Sequence, residues 1–60
     1  MTDTQLHLAG LKLTDRFNGY ATYSAYRVTG THWERVGIGI RYWTAVVLLT
    51  DNPSLRFVRN

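Results

Sequence analysis

The side chains able to do acid–base or metal chemistry are few: His7, His32, Asp3, Asp15, Glu34 and Asp51, with no cysteine among the 60 residues. His32 and Glu34 stand two residues apart and so share one face of a strand, a spacing that suits proton transfer or a pair of metal ligands. No third group accompanies them, and Glu34 has a structural role open to it as the partner of Arg27. A zinc site built from histidine and carboxylate without thiolate is an uncommon donor set. Asp15 beside Arg16 fits turn chemistry. The expectation is therefore a protein that is not an enzyme and carries neither cofactor nor metal.

The cations point elsewhere. Seven Lys and Arg against four Asp and Glu leave a net charge of +3, and all the cations except Lys12 are arginine. Arginine presents a planar fork that pairs with phosphate or carboxylate and stacks on aromatic rings. Between Trp33 and Trp43 the odd positions read Trp33, Arg35, Gly37, Gly39, Arg41, Trp43 and the even positions Glu34, Val36, Ile38, Ile40, Tyr42. On a strand these sets point to opposite sides, which places the aliphatic residues on a core and the arginines and indoles away from it.

With Arg16, Tyr20 and Tyr26 from the preceding strands, the odd set forms a basic-aromatic sheet face: Arg16, Tyr20, Tyr26, Trp33, Arg35, Arg41 and Trp43 are the candidate partner-binding residues. Bases of a single strand stack on such rings at about 1–3 kcal/mol each while arginines follow the phosphates. The same residue types are the preferred hot spots of protein interfaces. The function expected is a small binding module for an anionic partner, with single-stranded nucleic acid as first candidate. The alternative is an inhibitor or adaptor that docks on the acidic surface of a larger protein complex, as a phage or mobile-element product would on a host machine. No aromatic RNP motif, KH loop or helix-turn-helix pattern supports sequence-specific recognition.

Those residues need a scaffold, and the pattern predicts an all-β one. Thr4 to Leu13 reads as a strand bent at Gly10; a short helix capped by Thr2 and Gln5 and stopped by Gly10 is the competing reading. Asn18-Gly19 predicts a hairpin into a second strand over residues 20–29, and Gly30-Thr31 a two-residue turn into the third. That turn sets Thr29 against His32, Arg27 against Glu34, Ala25 against Val36 and Tyr23 against Ile38. The even phase then runs on from Val36 to Leu48, so the third element must bend at Gly37 and Gly39 or hide a turn near Arg41 to Thr44. A helix over Ala45 to Leu49 is disfavoured by Val46-Val47. Asp51 to Ser54 is a turn, and Leu55 to Arg59 a final strand with Leu55 and Phe57 on one side and Arg56 and Val58 on the other. The sum is a single domain, residues 1–60, of about five antiparallel strands in a meander that curls into a small barrel or sandwich.

At this length a single core supplies only about 3–5 kcal/mol. Self-association as a dimer is expected to contribute stability, including one register in which the third strand pairs with its own copy about Ile38, Trp33 against Trp43. Neither a signal segment nor an apolar stretch of spanning length occurs, so a cytoplasmic protein without a membrane partner is expected.

Overall fold

The computed structural model describes residues 1–60. Helix α1 (Asp3–Leu8) leads through a 3-10 segment (Leu13–Phe17) to strands β1 (Tyr23–Thr29) and β2 (His32–Ile40), then helix α2 (Tyr42–Asp51) and strand β3 (Leu55–Arg59). The three strands form one antiparallel sheet in the order β2-β1-β3, so α2 carries the chain from one edge to the other. This corrects the all-β expectation. The sheet is open and three-stranded, and Asp3–Leu8 and Tyr42–Asp51 are α-helices.

The amino-terminal helix follows the competing reading. Thr2 Oγ1 accepts from the Gln5 amide at 3.2 Å while Gln5 Oε1 accepts from the Thr2 amide at 2.7 Å, a reciprocal cap. Its end is a Schellman motif: the Gly10 amide donates to the His7 carbonyl and the Leu11 amide to the Leu6 carbonyl. Gly10 takes a φ of +99°, and a Cβ there would lie 1.9 Å from the Phe57 carbonyl oxygen. The residue is glycine for two reasons at once, a left-handed backbone and contact with β3. Leu6 and Ala9, three apart on the helix, reach the core, whereas Leu8 stays out. A two-phase run of leucines is thus one helix face plus Leu11 beyond it.

Asn18-Gly19 makes a turn but no hairpin. Asn18 Oδ1 accepts from the Tyr20 amide and the Asn18 carbonyl from the Ala21 amide, which turns the 3-10 segment into the approach to β1. The hairpin at Gly30-Thr31 forms as expected, with Thr29 opposite His32 and Arg27 opposite Glu34. Beyond Arg35 two bulges intervene, so Ala25 meets Gly37 and Tyr23 meets Ile40. Each bulge adds a residue to β2 and resets the alternation. Gly39, at a φ of +71°, lies in the second.

After Arg41 the chain is helical despite Val46-Val47. Tyr42, Ala45 and Leu49 are buried at helical spacing, and their packing outweighs the weak β-branched propensity. Pro53 then keeps Asn52 extended, at a φ of −139°, and Asn52 Oδ1 caps the turn by accepting from the Ser54 amide and hydroxyl. β3 follows with the expected alternation, Leu55 and Phe57 buried, Val58 exposed.

All core residues sit on one side of the sheet. Tyr23 and Ala25 of β1, Leu55 and Phe57 of β3 and the inner faces of α1 and α2 form a single cluster. A polar anchor closes it at one end: Tyr23 donates its hydroxyl to Asp15 Oδ2 at 2.5 Å and accepts from the Lys12 amide at 2.9 Å, and Arg59 Nε donates to the same carboxylate oxygen at 2.8 Å. The Tyr23 hydroxyl, and after it the Arg59 guanidinium, hold the Asp15 carboxyl below its ordinary value against the cost of burial. Tyr23 is pushed up to about 12, by burial first and the Asp15 bond second.

Candidate functional site: the uncovered sheet face

Because both helices pack on one side, the other side of the sheet has no cover. Cross-strand pairing arranges it in rows. Trp33 stands beside Val28; Arg35 and Arg56 flank Tyr26; Val58 stands beside Ser24, and the bulge carrying Ile38 lies on the other flank of Ser24. Trp33, Val36, Ile38 and Val58 are all about half exposed or more. The Tyr26 and Trp33 rings meet at 5.8 Å between centroids with an interplanar angle of 54°. Ser24, between the Ile38 bulge and Val58, is buried and donates to Asn60 Oδ1 at 2.8 Å, so the open part of the face begins beyond it.

Three of the seven expected site residues, Tyr26, Trp33 and Arg35, come together here. The other four do not. Trp43 lies in α2, where its indole N–H donates to the Arg16 carbonyl at 3.0 Å and its ring meets Tyr42 edge-on. Arg41 is the residue before that helix, Arg16 pairs with Asp3 at 3.1 Å, and Tyr20 projects from the Asn18 turn with its neighbour Phe17, both 94% exposed. These form a separate corner at the opposite end of β1 from Trp33. The self-pairing register that set Trp33 against Trp43 is excluded, since Trp43 is helical.

Ile38 and Val58 were missed as surface residues for different reasons. Ile38 was assigned to the core by alternation, and only the bulges turn it outward. For Val58 the signal was present, since the alternation of β3 put it opposite Phe57.

Most of the positive charge is already engaged. Arg16, Arg27 and Arg59 pair with Asp3, Glu34 and Asp15, and Arg56 Nη1 donates to the Pro53 and Leu55 carbonyls at 3.0 and 2.7 Å. Arg27 at 2.6 Å holds the Glu34 carboxyl below its ordinary value, so the carboxylate considered for acid–base work is occupied by a cross-strand partner. No three His, Asp or Glu side chains gather where they could hold a metal ion. Lys12, Arg35, Arg41 and Arg56 pair with no carboxylate, and of these Arg35 and Arg56 are on the open face.

The one concavity of the chain is elsewhere, a cleft of about 190 Å³ between α1, α2 and the start of β3, walled by Met1, Leu8, Leu49 and Pro53. No helix is long and apolar enough to cross a membrane. No family model, no curated protein and no solved structure matches the chain.

Proposed function

We propose that the protein is a non-enzymatic binding module of the cytosol that docks its uncovered sheet face on a larger protein, as an inhibitor or adaptor. The observation that carries this reading is the composition of that face: Trp33, Arg35, Ile38 and Val58 exposed and Tyr26 and Val28 half-buried among them, on a strand layer whose other side carries the hydrophobic core. Tryptophan, tyrosine and arginine are the residues that contribute most at protein interfaces, and an apolar patch without cover marks a docking surface. The partner's complementary surface is apolar with acidic groups, because the face carries two arginines and no carboxylate.

Single-stranded nucleic acid is the second reading, favoured by the Tyr26–Trp33 ring pair beside Arg35. It ranks lower on charge. Two arginines, one of them with Nη1 bonded to backbone, leave few phosphate contacts, whereas nucleic-acid surfaces draw their affinity from many.

A photoreactive residue placed at Ile38, and in a parallel chain at Val47 on the outside of α2, tests both readings in the native cell. Protein adducts from position 38 alone are expected. Adducts to nucleic acid would move the assignment to the second reading, and an absence of adducts at 38 would refute both.

A further inference from the structure

The shape and charge of the open face narrow the partner's contacting element, on the reading that this face docks a protein. We infer that the element is an amphipathic helix of the partner, seated along the strands with its apolar side on Trp33, Ile38 and Val58 and with acidic side chains at its flanks, in reach of Arg35 and Arg56.

Three observations lead there. The two edges of the sheet are poor templates for an added strand. β2 carries two bulges that interrupt its ladder, and the outer side of β3 is taken where the Phe57 amide donates to the Ala9 carbonyl at 2.7 Å. The partner therefore meets the face. The dimensions of that face suit a helix: three strands spaced about 4.8 Å apart set their outer axes about 10 Å from each other, close to the 10–12 Å diameter of a helix with its side chains. The sheet's other side is already closed in this way, by α1 and α2.

Charge selects the flanks. Arg35 and Arg56 sit on either side of Tyr26 in one row, while Glu34 is turned to the other face with Arg27, Asp15 is buried with Tyr23 and Arg59, and Asp3 and Asp51 lie in the helices. A second copy of this chain in the same place would bring a face with two arginines and no carboxylate against another like it, in a molecule of net charge +3. An element with glutamate or aspartate along both sides gains where the copy loses.

The test uses two synthetic helical peptides of about 14 residues, long enough at 1.5 Å per residue to run the length of the central strand, identical in their leucine face and flanked by glutamate in one and lysine in the other. Each is titrated into isotope-labelled protein. The glutamate peptide should shift the Trp33 indole N–H and the amides of Tyr26, Ile38 and Val58, leave the Trp43 indole unmoved, and bind about ten-fold or more tighter than the lysine peptide. Arg35→Glu should erase most of that preference, and Arg35→Gln part of it, with the thermal midpoint showing that each variant is folded. Equal affinity of the two peptides, or shifts centred on Leu8 and Leu49 at the α1–α2 cleft, would overturn the inference. Failure of both peptides to bind at millimolar concentration would also overturn it, and protein adducts from position 38 would then leave the docking function standing without the helix.

Discussion

β1 has two faces that use the same residue types to opposite ends. Tyr23 and Tyr26 are three residues apart; Tyr23 is fully buried with its hydroxyl bonded to Asp15 and Lys12, and Tyr26 lies on the open side against Trp33. Arginine divides in the same way, Arg59 neutralising Asp15 at the edge of the core and Arg35 standing on the open side without a carboxylate. The difference teaches that residue type alone does not mark a site. What marks it is whether the fold has already answered the side chain's polar and apolar demands.

If the covered face holds the fold, injury there should be the most severe. Gly10→Ala is expected to have the largest effect, since its Cβ would collide with β3 and its backbone is left-handed. Strain of about 1–3 kcal/mol from the backbone alone, before the collision is added, approaches the whole stability of a domain this small. Circular dichroism should show a chain largely unfolded at room temperature; a cooperative melt near that of the parent would break the account of α1.

Two buried tyrosines sharpen the comparison further. Tyr23→Phe leaves Asp15 with Arg59 alone and the Lys12 amide without a partner and should cost about 1–3 kcal/mol in urea unfolding. Tyr42 is as deeply buried but its hydroxyl has no hydrogen-bond partner, so Tyr42→Phe should be neutral or slightly stabilising, within about 0.5 kcal/mol. Equal losses from the two would show that the network does not hold the covered face.

The same anchor sets the pH limits of the fold. Asp15 titrates below its unfolded value of 3.8, so its contribution is complete above that pH and is lost as pH falls through the lower folded value. Tyr23 titrates at about 12 instead of 10.0, so its contribution is complete below pH 10 and is lost as pH rises toward 12. Phenolate absorbance should contain one late tyrosine step that Tyr23→Phe removes. A titration without that step would place the Tyr23 hydroxyl in water.

Smallest of all should be the stability effect of the open face. Arg35→Glu there is expected to shift the urea midpoint by less than the equivalent of about 0.5 kcal/mol, because it touches no buried group. A loss as large as that of Tyr23→Phe would mean the two faces are not divided as described.

Much of β1, the Gly30-Thr31 hairpin and β3 was legible because alternation and turn chemistry are local there, down to the Arg27–Glu34 pair. The helices were not. Leu6, Leu8, Leu11 and Leu13 fit a bent strand as well as a capped two-turn helix, and only the fit of Gly10 against Phe57 decides between them. Tyr42 to Leu49 carries an even phase and a helical phase at once; burial of Tyr42, Ala45 and Leu49 against the sheet selects the second. Of the candidate site, Tyr26, Trp33 and Arg35 were found because they precede the first bulge. Arg41 and Trp43 fall away from it because the strand ends at Ile40 and the chain turns into α2.

The central claim is that the open face serves a partner and not the fold. Its most direct test is the photo-adduct yield from position 38 in a chain carrying Arg35→Glu and Trp33→Ala, with the urea midpoint recorded on the same sample. A midpoint near that of the parent with the protein adduct gone is the predicted result; an adduct of undiminished yield from the folded variant would contradict the account.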